Sequence, residues 1–126
     1  MSSREGIGLL LIAHGSRRKQ ANEDLEWLAG RIRETATFRF VQTSYLELTE
    51  PNILQGGTLC AQQMVSTVVM MPYFLSPGVH VREDLTEARD QLIAQYPDVK
   101  FLLAEPLGRH PLLVEIVQQR IGEATN

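Results

Sequence analysis

The chain has 126 residues and a hydrophobic fraction of 44%, enough for one packed domain, expected over residues 1–126, and too apolar for a disordered tail. Twelve basic against fifteen acidic side chains give a net charge of −3, which offers nucleic acid no global attraction and argues against such a partner. The apolar run Ile7 to Ala13 is too short for a membrane span and passes straight into His-Gly-Ser-Arg without a cleavage-like site, so a cytoplasmic protein with no membrane partner is expected. The single cysteine, Cys60, has no partner for an internal disulfide, and its neighbours Leu59 and Ala61 suit a buried thiol better than a catalytic one.

In chain order, Ile7 to Ala13 reads as a central strand covered on both faces, because its apolar run is almost unbroken. His14-Gly15-Ser16 turns the chain, with Ser16 as expected N-cap of a helix whose apolar positions Ala21, Leu25, Leu28 and Ile32 recur every three or four residues to about Glu34. Arg17, Arg18 and Lys19 crowd its first turn, where acidic side chains are normally favoured; a nearby anionic ligand would relieve that conflict, and simple solvation is the plainer explanation. Phe38 to Leu46 is the second strand, closed by Glu47-Leu-Thr-Glu50-Pro51. Pro51 suits a helical first turn, and Ile53, Gly57, Cys60 and Met64 mark one helical face; the Gly56-Gly57 pair there suggests close packing on the sheet. Ser66 to Met71 is the third strand. A Pro77-Gly78 turn carries His80, and from Asp84 a helix places Leu85, Ala88, Leu92 and Tyr96 on one side until Pro97. Val99 to Ala104 is the fourth strand. After a loop containing His110, expected at a helix start, a last helix lines up Leu112, Leu113, Ile116, Val117 and Ile121 and frays from Glu123 to Asn126. Strict strand–helix alternation predicts an α/β three-layer fold, a parallel sheet with helices on both faces.

Ligands of open parallel sheets bind beyond the carboxyl ends of the strands, where the strand order reverses. If the order is 2-1-3-4, that point lies between the first and third strands, and His14 and His80 sit on the loops that leave them. A lone histidine is usually a core or surface residue; two in matched loops suggest a shared divalent metal. Neutral imidazoles suit cobalt, iron or nickel, and two ligands leave positions open for exchange. Glu47 and Glu50 are available to complete coordination or accept protons, although carboxylates near a helix start are also common for dipole reasons alone.

The segments LLLIAHGSR, YLELTEP, MPYFLSPGVHVREDL and EPLGRHPLLVEIV, in that order over nearly the whole chain, resemble the short-form sirohydrochlorin cobaltochelatases of the class II chelatase family. The resemblance implies the 2-1-3-4 order, a homodimer, and ATP-independent insertion of Co2+, or Fe2+ or Ni2+, into a sirohydrochlorin-type tetrapyrrole. The metal is then a substrate and no permanent cofactor is implied. It further implies that His14 and His80 present the metal and that His14 also accepts a pyrrole proton. Leu75, Ser76, Pro77, Gly78 and Val79 would line the substrate pocket, with Glu47 or Glu50 facing the ring nitrogens. Arg17, Arg18, Lys19, Arg82 and Arg109 would then anchor the macrocycle's carboxylates. A His-Gly after a first parallel strand also occurs in histidine phosphatases, but those enzymes have an arginine before the histidine where this chain has Ala13. A non-catalytic metal or tetrapyrrole carrier stays open as the alternative, since it would use the same two histidines.

Overall fold

The computed structural model describes residues 6–126. Strands and helices alternate as β1 (Ile7–Ala13), α1 (Lys19–Glu34), β2 (Phe40–Tyr45), α2 (Ile53–Ala61), β3 (Thr67–Pro72), α3 (Val79–Gln95), β4 (Lys100–Leu103) and α4 (Pro111–Thr125). All strand pairings are parallel and the order is β2-β1-β3-β4, as expected. Leu9 to Ile12 of β1 are buried between two apolar layers, which is why the strand reads as an unbroken apolar run.

Alternation along the strands divides the core. Leu10, Ile12, Val68, Met70 and Phe101 pack with Ile53, Leu85 and Leu92 on the face covered by α2 and α3, whereas Leu9, Leu11, Val41 and Tyr45 pack with Leu25 and Ala29 of α1. Each fully buried aliphatic side chain in these layers contributes about 1.5–3 kcal/mol. The Gly56-Gly57 pair brings α2 into close contact on two sides. A Cβ at Gly56 would lie 2.8 Å from Leu10 Cδ1, and one at Gly57 2.5 Å from Leu92 Cδ1. Buried polar groups are satisfied: Ser44 Oγ donates to Leu11 O at 3.1 Å, and Thr43 Oγ1 donates to Glu26 at 2.6 Å.

Several local expectations are corrected. Helix α1 starts at Lys19 with Arg18 as N-cap; the Ser16 hydroxyl instead accepts from Arg18 N–H at 3.0 Å, before the helix. Pro51 precedes α2 rather than entering its first turn, because the Asn52 side chain caps Gln55 N–H and the Gln55 side chain answers on Asn52 N–H, a complete capping box. Helix α3 begins five residues before Asp84, at Val79, since Val81 already packs on the core one turn ahead of Leu85. The last helix does not fray at Glu123: Arg120 pairs with Glu123 at 3.0 Å and the helix runs to Thr125. No helix among the described residues is long and apolar enough to cross a membrane.

Candidate functional site

Strands β1 and β3 are neighbours, and Tyr73 N–H, just past β3, donates to Ile12 O at 2.7 Å. The loops after β1 and β3 therefore leave the sheet from one place. From there the chain goes outward to β2 on one side and β4 on the other, so this is the reversal point of the strand order.

His14 stands on the first of these loops and is tied down from three directions. Backbone ladder bonds continue beyond the strands, with Leu46 N–H donating to Ala13 O at 3.0 Å and Glu47 N–H to His14 O at 3.1 Å. Gly15 has φ +98° and lies so close to the Glu47 carbonyl that a Cβ there would overlap it. Asn22, on α1, grips the loop with its whole amide: its Oδ1 accepts from Ser16 N–H at 3.0 Å and its Nδ2 donates to Ser16 O at 2.9 Å. As a result His14 Nε2 lies 2.8 Å from Glu47 Oε1, with both side chains more than half exposed. An ionised carboxylate only accepts, so the pairing assigns the proton to Nε2 and leaves the Nδ1 lone pair for a metal ion or a proton.

His80 is not in the loop, as expected from the sequence, but in the first turn of α3, and Val79 is that helix's first residue. Its side chain is 98% exposed, with Nδ1 3.9 Å from Glu83 Oε2. Gly78 is the extended N-cap and supplies no side-chain bond, so the first N–H groups of α3 are left for solvent or a ligand. Leu75, Ser76 and Gly78 are exposed ahead of it, and Pro77 is partly covered. Of the two candidate carboxylates, the structure joins Glu47 to His14, whereas Glu50 lines a separate recess with Gln42, Leu54 and Gln55 beside α2. Among the described residues no three His, Cys, Asp or Glu side chains converge to cage a metal, and His14 and His80 each face a carboxylate of their own. Arg17, Arg18 and Lys19 are exposed, and among the described residues none has a carboxylate partner. Arg82 lies 4.0 Å from Glu105. His110 caps α4, its Nδ1 accepting from Leu112 N–H at 3.1 Å.

Sequence reasoning missed Asn22 and Glu83. Asn22 sits six residues from its partner, a spacing that belongs to no capping motif, whereas Glu83 is readable as an i+3 neighbour once His80 is known to be helical. Cys60 has no part in the site: it is fully buried and burial pushes its thiol up to about 12. The Tyr45 phenol is also pushed up, first by burial and then by the nearby Glu26 carboxylate.

A parallel 2-1-3-4 sheet with its loops meeting at the reversal point is an open α/β domain built to bind a ligand at that point, an architecture shared with solved chelatase structures. The model of the CbiX family matches residues 8–124, and the chain belongs to that family. It is 34% identical to the chloroplastic sirohydrochlorin ferrochelatase of Arabidopsis thaliana over 90% of this chain and 51% of that protein. It is 29% identical to the sirohydrochlorin cobaltochelatase of Methanopyrus kandleri over 94% of this chain and 96% of that one. Among solved structures, the CbiX protein of Marinobacter aquaeolei superposes with a TM-score of 0.80 at 29% identity, covering 94% of this chain and 97% of that one. Several curated relatives are longer, and the chain spans 38 to 51% of the first three.

Proposed function

We propose that this protein is a sirohydrochlorin chelatase that inserts Co2+, with Fe2+ or Ni2+ as related substrates, into a sirohydrochlorin-type tetrapyrrole without ATP, acting as a homodimer. The observation that carries the reading is the 2.8 Å His14–Glu47 pair on loops at the sheet's reversal point, within a chain of the CbiX family. Metallation removes two N–H protons from the macrocycle and delivers one dication. In this reading the Nδ1 lone pair of His14 first holds the metal; once the ion passes to the ring nitrogens, the same lone pair takes up a pyrrole proton, and the Glu47 carboxylate stabilises the resulting imidazolium. His80, the second metal-presenting imidazole, releases its share of the ion and receives the second proton. Exposed Leu75 and Val79 meet the apolar face of the macrocycle. Arg17, Arg18 and Lys19, with the open N–H groups at the start of α3, meet its carboxylates. The site is exposed, as a large flat substrate requires, and a second copy of the chain would close it from the other side.

The test is anaerobic multiple-turnover absorbance spectroscopy of sirohydrochlorin with Co2+, Fe2+ or Ni2+, comparing the native protein with His14→Ala and His80→Ala. The expected result is turnover lost by about 100-fold or more in both folded variants, the usual scale for a missing proton acceptor. Product that stops at one equivalent per protein would favour the carrier, and variants running at the native rate would remove the two histidines from the chemistry.

A further inference from the structure

Beside the crevice that carries His14 and His80, a second hollow opens at the carboxyl edge of the sheet, where β3 and β4 end against α3. Its volume is about 270 Å³, below the roughly 300–1,000 Å³ of a site that takes a whole ligand and ample for a single side arm. The outer wall is held at both ends by main-chain bonds: Ala104 N–H donates to Met70 O at 2.9 Å and Leu107 N–H to Phe74 O at 2.9 Å, which fixes Glu105 and Pro106 between them. Pro72, Pro77 and Pro106 line the hollow and have no N–H to offer a guest. Its cationic donors come from α3.

Arg82, Thr86 and Arg89 stand at spacings of four and three along α3, one stripe beside the buried Leu85, and all three line the hollow. Side chains of a helix lean toward its N-terminus, so Arg89 is directed back toward Arg82. Neither guanidinium is fully paired. Arg82 Nη1 lies 4.0 Å from Glu105 Oε2, beyond hydrogen-bond range, and that carboxylate is 91% exposed at the mouth. Arg89 donates from Nε and Nη2 to one oxygen, Asp90 Oδ1, at 3.2 Å, which leaves its Nη1 amino group unused, and Asp90 is outside the lining. Only 33% of the Arg89 side chain is exposed, so much of its stem is covered. The Thr86 hydroxyl donates to Arg82 O at 3.0 Å and has no second proton for a guest.

We infer that this hollow is a carboxylate slot, in which Arg82 and Arg89 clamp one peripheral carboxylate of the macrocycle while Glu105 at the mouth competes for Arg82. The inference deepens the chelatase reading given under Proposed function and rests on it; it adds Arg89 and the place where one arm is seated. Pro77, which lines the slot, belongs to the loop expected to line the substrate pocket, and Arg82 follows His80 by two residues on α3. An arm that enters the slot therefore belongs to a ring lying over that loop, which favours the macrocycle over a free oxyanion. Two guanidinium forks on one rigid helix suit a planar carboxylate. Because the arm is remote from the ring centre, the clamp acts on binding and leaves the insertion step alone.

The experiment titrates metal-free sirohydrochlorin, followed by absorbance, into the native chain, Arg89→Gln, Arg89→Lys and Glu105→Gln at low ionic strength, with far-UV circular dichroism to establish folding. The titrations are repeated with an analogue whose peripheral carboxylates are amides, and KM and kcat are measured for metallation with Co2+. Arg89→Gln is expected to bind the acid roughly 10- to 100-fold more weakly and to raise KM alike, with kcat within about threefold. Arg89→Lys should recover part of the loss, since an ammonium keeps the charge without the fork. Glu105→Gln should bind about two- to fivefold more tightly, and the amide analogue should not distinguish native from Arg89→Gln. Native turnover with an Arg89→Gln protein that binds the acid as the native chain does, or an amide analogue that loses as much as the acid, overturns the slot alone. Labelled acetate bound by the native chain and not by Arg89→Gln, with the acid bound equally by both, assigns the slot to a free oxyanion and overturns the macrocycle as its guest. If Arg89→Gln does not fold, absence of tightening in Glu105→Gln overturns the clamp. A native chain that neither binds nor metallates sirohydrochlorin overturns the chelatase reading and the slot together.

Discussion

Replacing Gly15 by alanine tests how the site loop is built. The residue has φ +98°, beyond the left-handed region that non-glycine residues tolerate, and holding alanine there costs roughly 1–3 kcal/mol. The added methyl also meets the Glu47 carbonyl, a backbone atom that cannot rotate away, so the loops carrying His14 and Glu47 must part; overpacking of this kind costs about 1–3 kcal/mol. A loss of roughly 2–6 kcal/mol is therefore expected, a large share of the 5–15 kcal/mol typical of a small domain. If the loops part by about 1 Å, the 2.8 Å His14–Glu47 contact opens, and a displacement of that size costs about 100-fold in rate. Urea denaturation followed by circular dichroism measures the first quantity and metallation absorbance the second. Gly30→Ala on α1 is the control: its Cβ meets nothing within 4 Å, so it should stabilise by about 0.5–1 kcal/mol. A Gly15→Ala protein as stable and as fast as the native one would refute the account of the loop.

Two further outcomes follow from contacts already described. Glu47→Gln keeps the shape of the pair but removes the charge that selects the His14 tautomer and supports its imidazolium; kcat should fall about 10–100-fold with stability nearly unchanged, and a change below twofold in steady-state metallation would exclude that role. Burial raises the Cys60 thiol from its ordinary value near 9 to about 12, so between these pH values the folded chain keeps a proton that the unfolded chain has lost. Stability should thus be intact below pH 9 and fall above it by about 1.4 kcal/mol per pH unit, with Tyr45 pulling the same way; urea titrations at pH 8, 10 and 11 check this, and Cys60→Ala should flatten the decline.

What the sequence made legible depended on how far apart the interacting residues were. The β1 strand is written as a continuous apolar run and the Gly56-Gly57 contact as two glycines in a helical pattern, because burial on both faces and lack of space each leave a local mark. Helix α3 starts at Val79 rather than Asp84 because Val81, four residues before Leu85, carries the apolar periodicity back to the Pro77-Gly78 turn. Ser16 does not cap α1 because its backbone is held by Asn22 across the loop and its hydroxyl is taken by Arg18 N–H two residues on, ahead of the helix. Glu47 and Glu50 are equivalent on paper, three residues apart; only the fold sends one to His14 and the other to the flank of α2. An apolar stripe says that a helix wants cover and not which surface provides it, so α4 read as an ordinary outer layer.

The Asn22 grip on Ser16 has a mechanical consequence. Ser16 stands between His14 and the basic triplet Arg17 to Lys19, and with its backbone clamped to α1 these form one rigid unit rather than a hinge. Under the proposed function, the charges that would hold the rim of the macrocycle are thereby fixed in distance from the imidazole that would meet its centre. A macrocycle missing one peripheral carboxylate should bind more weakly without being misplaced at the imidazole, so the deficit would be felt in KM while kcat stays near its full value.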